Sequence, residues 1–129
     1  RKAIDEQDCP SDAYCNLGII ESQEGDYPKA IDCFTMSLKL NPRHYEAHYN
    51  LANLYAEVGN HALAKVHYNI AIELEPDFPN SYYNLGLTHA LAREYKDAVR
   101  FLQKYRELTP AEEHGATDEL ISKLSSTLS

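Results

Sequence analysis

Between residues 45 and 78 the apolar positions fall in two runs of helical spacing. His48, Leu51, Ala52 and Tyr55 recur at i, i+3, i+4 and i+7 and so share one face of a helix. Ala64, Tyr68, Ala71 and Ile72 repeat that spacing in a second run. Gly59-Asn60 lies between them and offers the permissive backbone of a tight turn. Pro76 ends the second run, because its ring clashes with a preceding carbonyl. The stretch is predicted to be a helix hairpin.

The same pattern recurs 34 residues earlier, over 11–44, and 34 later, over 79–112. Five positions are identical in all three copies: Asn16/Asn50/Asn84, Leu17/Leu51/Leu85, Ala30/Ala64/Ala98, Leu40/Leu74/Leu108 and Pro42/Pro76/Pro110. A fixed period of this length marks a solenoid, in which each hairpin buries its apolar face against its neighbours. Helices are expected over 11–24, 27–41, 45–58, 61–75, 79–92 and 95–109. Pro28 falls in the first turn of the second of these, where a missing N–H costs little, and Asp26 is placed to cap it.

The repeat resembles the tetratricopeptide repeat, whose signature is an aromatic followed by x2-Leu-Gly-x2-Tyr, then Ala-x3-Phe, then Pro. The first copy carries it as Tyr14, Leu17, Gly18, Ala30, Phe34 and Pro42. The second has Leu51, Ala52, Tyr55, Ala64, Tyr68 and Pro76, and the third Tyr82, Leu85, Gly86, Ala98, Leu102 and Pro110. The expected fold is all-α, a right-handed α-solenoid of three hairpins (11–44, 45–78, 79–112) with a capping helix after them.

The departures also carry expectations. Glu21 stands where an aromatic belongs, and His48 replaces the leading aromatic of the second copy. Arg93 replaces the turn glycine of the third copy, where a positive φ costs roughly 1 kcal/mol, so that turn is expected to be remodelled. Tyr105-Arg106 replace the small-then-aliphatic pairs Ser37-Leu38 and Ala71-Ile72, so the array is expected to end with the third copy. Residues 113–129 then read as a polar loop through Gly115 and a helix N-capped by Thr117, with Leu120, Ile121, Leu124 and Leu128 as its apolar stripe. Residues 1–10 read as a linker or as the remnant of an earlier repeat, with Ala3-Ile4 in its last turn. The opening at Arg1 reads as that of a fragment or processed form.

The net charge of −8 changes the picture of the partner. Seven acids and two bases lie between Arg1 and Asp26, which argues against nucleic acid and anionic lipid and favours a neutral or basic protein segment. No run of about 18 apolar residues suggests a membrane span. Cys9, Cys15 and Cys33 are odd in number and lack metal or redox spacing, so a reducing, cytoplasmic setting is expected.

Catalytic chemistry finds no foothold in the motifs: there is no Gly-rich phosphate loop, nucleophile elbow or paired cysteine ligand set. His44 and His48 are four apart but have no third ligand in the sequence, and His48 sits on the packing stripe. No enzyme activity, metal or cofactor is expected.

The asparagines at 16, 50 and 84 lie beside the packing stripe of each first helix, so stacking brings them into a row. In the family those helices line the concave groove. An amide both donates and accepts, so the row suits the backbone of an extended peptide, or else it braces neighbouring hairpins. It resembles the asparagine ladder of the superhelix in O-linked N-acetylglucosamine transferase. The candidate groove is Asp12, Cys15, Asn16 and Ile19, then Glu46, Tyr49, Asn50 and Asn53, then Asn80, Tyr83, Asn84 and Leu87. Co-chaperone members of the family grip a C-terminal carboxylate with lysines and an arginine. The matching positions here hold Cys15, Ile19, Asn50, Asn80 and Asn84, so that clamp lacks its cations. The sequence therefore reads as a protein interaction module acting as adaptor or assembly scaffold. The alternatives are the recognition arm of a larger enzyme, such as a glycosyltransferase, and a scaffold that self-associates through its C-terminal helix or N-terminal repeat face.

Overall fold

The structure, a computed structural model, describes residues 10–128. The expectations for Ala3-Ile4 and Cys9 lie outside them. Among the described residues seven α-helices follow one another: α1 (Pro10–Gln23), α2 (Tyr27–Leu40), α3 (Tyr45–Glu57), α4 (His61–Leu74), α5 (Pro79–Leu91), α6 (Tyr95–Leu108) and α7 (His114–Leu128). Pro10, expected in the linker, instead opens α1. The helices pair as hairpins α1–α2, α3–α4 and α5–α6, adjacent hairpins meet through α2–α3 and α4–α5, and α7 packs on α6. The first helices α1, α3 and α5 touch in sequence, forming one wall of a right-handed α-solenoid.

Small residues set how closely each hairpin closes. Ala30, Ala64 and Ala98 are fully buried, and Phe34, Tyr68 and Leu102, four residues on, fill the crossing. They press on Gly18, Ala52 and Gly86 of the opposite helix: a Cβ added to Gly18 would lie 2.7 Å from the Phe34 ring, and one on Gly86 3.0 Å from Leu102.

His48 keeps the role of the aromatic it replaces. Tyr82, one repeat later, donates its hydroxyl to the Pro76 carbonyl at 2.8 Å, and His48 Nε2 reaches the equivalent Pro42 carbonyl at 3.0 Å. The junction carbonyl is thus satisfied by a ring donor in both copies.

The turn at Arg93 is not remodelled. Arg93 takes φ 64, beside φ 85 at Gly25 and 86 at Gly59, and all three turns carry the same backbone bonds, such as Asp26 N to Glu21 O, Asn60 N to Tyr55 O and Glu94 N to His89 O. Those repeated bonds hold a non-glycine residue in the left-handed region. The cap differs instead. Asp26 and Asn60 accept from the N–H three residues on, whereas the Glu94 carboxylate turns away to Lys65 at 2.9 Å and His89 at 2.7 Å. That pairing lowers the Glu94 pKa.

The C-terminal segment corrects a second expectation. No polar loop runs through Gly115. A single 3-10 turn over Ala111–Glu113 leads straight into α7 at His114, whose Nε2 lies 2.9 Å from the Thr109 carbonyl. Thr117 is buried inside the helix rather than capping it. Leu120, Ile121 and Leu124 of the expected stripe pack onto Ala98 and Leu102, whereas Leu128, beyond the end of α6, is half exposed, and Asp118 pairs with Arg106 at 2.5 Å.

Candidate functional site: the concave groove

Two recesses open between consecutive first helices. The recess between α1 and α3, about 270 Å³, gathers six expected residues, Asp12, Cys15, Asn16, Ile19, Glu46 and Asn50, and adds His44. The recess between α3 and α5, about 320 Å³, gathers Asn53, Asn84 and Leu87, with Tyr68, Thr88, Glu57 and Leu91 beside them. Three expected residues line neither. Tyr49 packs edge-on to Phe78 at 5.1 Å, Tyr83 lies 5.0 Å from the Tyr105 ring, and Asn80 is exposed.

The asparagine row divides by role. Asn84 spends both amide hydrogens across the junction, on the Tyr49 hydroxyl at 2.9 Å and on Asn53 Oδ1 at 3.0 Å. Tyr68 donates its hydroxyl to the same Asn53 oxygen. Burial pushes the Tyr68 phenol far above its usual value, so it stays a donor. Asn84 thus braces two hairpins and shows only its carbonyl to the groove, while Asn53 keeps its amide hydrogens. Asn50 donates to the Glu46 carbonyl at 2.9 Å and makes a long contact, 4.0 Å, with Cys15 Sγ. Asn16 is exposed on the groove wall.

The two ends of the groove differ in charge. Burial, and then the Glu46 carboxylate, raise the Cys15 thiol to about 11, opposed by the bond from Asn50, with Asp12 adding a smaller push upward. That thiol is a packed, protonated group and not a nucleophile. His44 caps α3 by accepting from Ala47 N at 3.3 Å through Nδ1, so Nε2 carries its hydrogen. Nε2 lies 2.8 Å from Asp12 Oδ1, yet it is buried and makes no hydrogen bond of acceptable geometry. The other recess is lined by Leu87, Leu91 and Ala56 around the two amides, with Glu57 as its one carboxylate.

The residues that sequence reasoning missed have two origins. Glu57 and Leu91 are one period apart on α3 and α5, so the same register that found Asn53 and Leu87 points to them. His44 precedes its helix, and nothing in the helical spacing turns a cap residue toward the groove. Outside the groove, His89, Glu94 and Asp97 bring ligand-type atoms within 4.8 Å of one another, but the Lys65 ammonium and the Arg100 guanidinium already pair with the carboxylates.

The tetratricopeptide repeat family model matches residues 11–44 and 45–78, and a second model of the same family matches 67–100, starting in α4 and ending in α6. The chain belongs to the tetratricopeptide repeat family. Among solved structures it resembles the first tetratricopeptide domain of Spaghetti (RPAP3) bound to the HSP90 peptide SRMEEVD, at 21% identity over 92% of this chain and 95% of that one, with a TM-score of 0.83. The Sgt2 domain from Aspergillus fumigatus is 24% identical over 92% of this chain and 78% of its own, with a TM-score of 0.82. MamA is 28% identical over 82% of this chain and 56% of that one, with a TM-score of 0.73. The first two likenesses are of fold.

Proposed function

We propose that this domain is a protein interaction module that binds an extended peptide segment along α1, α3 and α5, and that it works as an adaptor or assembly scaffold rather than as an enzyme. The observation that carries this reading is the pair of recesses one repeat apart, each offering amide or carboxylate groups beside apolar wall. An extended strand advances about 3.3 Å per residue and places alternate side chains on one side, so one segment can fill both recesses. The family's role in protein interaction and the peptide in the RPAP3 structure agree with it. The segment is neutral or basic, since acids predominate at the α1–α3 end and, among the described residues, no lysine or arginine lines either recess. No helix among the described residues is long and apolar enough to cross a membrane.

The test is selection of peptides from a random heptamer display library, followed by calorimetry on Asn16→Arg and Leu87→Arg, which block opposite ends of the groove without entering the core. Each variant is expected to lose the selected peptide. Retained affinity in both places the binding surface elsewhere.

A second reading rests on α1. Ala13, Tyr14, Leu17 and Ile20 are exposed, the last three at 38, 42 and 48%, whereas their equivalents on α3 and α5, Ala47, His48, Leu51, Leu54, Ser81, Tyr82, Leu85 and Thr88, are at most 8% exposed. In the interior repeats the second helix of the preceding hairpin covers this face. Self-association through it makes sedimentation depend on concentration, and Leu17→Lys abolishes that dependence; a chain that sediments as a monomer at every concentration rules the reading out.

A further inference from the structure

The 34-residue register lays the groove out as parallel rows, and two of these rows change character along the solenoid. Asp12 and Glu46 give way to Asn80, which is exposed outside both recesses, and Asn53 gives way to Leu87. The recess between α1 and α3 therefore holds two carboxylates, and the next one a single carboxylate, Glu57, among amides and a larger apolar wall.

Two features describe what the first recess lacks. Asp12 and Glu46 project from the facing helices α1 and α3, and among the described residues no lysine or arginine lines the cavity to neutralise them. His44, more than nine-tenths buried, turns its Nε2 hydrogen into the same cavity, out of line with the Asp12 carboxylate beside it and with no hydrogen bond made. A buried donor left unpaired is costly, and a peptide carbonyl arriving there would satisfy it. The carboxylates need a cation and the imidazole needs an acceptor. A lysine or arginine residue within an extended peptide offers both, its side chain to the acids and its backbone carbonyl to His44.

We propose that the α1–α3 recess is a subsite for one basic residue of the bound segment, with Asp12 and Glu46 holding its side chain and His44 its main-chain carbonyl, while the α3–α5 recess takes an apolar side chain. This deepens the groove reading and rests on it. It reverses the charge logic of the acidic SRMEEVD ligand held by the structural neighbour. Charge-assisted bonds are roughly twice as strong as neutral ones, so the basic residue would set both register and direction of the segment.

The experiment uses the full chain, the random heptamer library, and two defined probes: SRMEEVD and an amidated counterpart with lysine at its three acidic positions. Wild-type protein is expected to enrich heptamers with arginine or lysine at one fixed position and to bind the lysine probe more tightly than SRMEEVD. Asp12→Asn with Glu46→Gln should weaken the selected peptide about 10- to 100-fold, the loss of one or two charge-assisted bonds, and the deficit should shrink with salt. Leu87→Ala should weaken it while leaving the basic preference intact. Circular dichroism melting checks that each variant folds, and the near-isosteric Asp12→Asn and Glu46→Gln changes avoid the repacking that charge reversal would force. Enriched heptamers with no fixed basic position, or an affinity indifferent to the Asp12 and Glu46 pair, overturn the subsite while leaving the groove reading standing. Enrichment of no heptamer at all overturns both.

Discussion

His48 and His67 meet nitrogen to nitrogen, with their Nδ1 atoms 3.1 Å apart and their rings stacked at 5.3 Å between α3 and α4. His48 Nε2 faces the Pro42 carbonyl and must carry its hydrogen there, so its Nδ1 is bare and accepts from His67. Burial lowers the pKa of both rings, and each is further depressed by a neighbouring histidine. The folded chain therefore binds fewer protons here than the unfolded chain. Stability from this pair is fully present above the ordinary histidine value of 6.5 and is lost as pH falls below it. The melting temperature should drop as the pH falls below about 6.5, ahead of the carboxylate titrations. His67→Phe, which keeps the stacking on Tyr55, should flatten that slope; an equally steep slope in the variant assigns it to other groups.

At the third turn, Arg93 occupies the left-handed region that glycine fills at 25 and 59. The conformation costs a non-glycine side chain about 1 kcal/mol. Arg93→Gly should stabilise the chain by up to about 1 kcal/mol in urea unfolding, and Gly59→Arg should do the reverse by a similar amount.

The bracing role of Asn84 separates it from its counterparts. Asn84→Ala removes two bonds across the second junction and leaves Tyr49 and Asn53 short of a partner, which should cost about 1–3 kcal/mol of stability. Asn16→Ala, on the exposed wall, should change stability by less than about 0.5 kcal/mol. Equal losses in chemical denaturation would contradict the division of roles along the row.

Gly18 lies against the face of its own hairpin partner. A single Cβ at this position would already come within 2.7 Å of the Phe34 ring, so Gly18→Val drives branched carbon into it and should destabilise by about 1–3 kcal/mol. Pairing it with Phe34→Leu should recover part of the loss, since the space the ring occupied becomes available. A double variant no more stable than Gly18→Val alone would show that the backbone and not the ring sets the limit.

Removing α7 should bare Leu102, Ala98 and the apolar side of α6, which Leu120, Ile121 and Leu124 now cover. A chain ending at Pro110 is expected to melt lower and to associate at high concentration, and Leu124→Ala alone should cost about 2 kcal/mol. The exposed Arg106–Asp118 pair contributes little to that docking. Truncated protein as stable and monodisperse as the parent would deny α7 its capping role.

The period of 34 residues determined the hairpins, because helical spacing and turn chemistry are local properties that every copy states again. It located the six repeat helices to within a residue at every end, and it aligned the rows from which nine recess residues were legible. Where the sequence misled, the deciding forces were tertiary. Arg93 holds a glycine conformation because flanking helices close the same hydrogen bonds, and α7 starts four residues early, at His114, with Thr117 buried inside it. Tyr49 and Tyr83 share a register row with Cys15, yet their rings reach neighbouring aromatics and leave the recesses. Which asparagine braces and which faces the groove, and that His44 turns its unpaired nitrogen inward, depend on side chains 30 or more residues apart in sequence or on a cap outside the helical period. Spacing along the chain says which residues share a face. Only packing between helices decides what each of them touches.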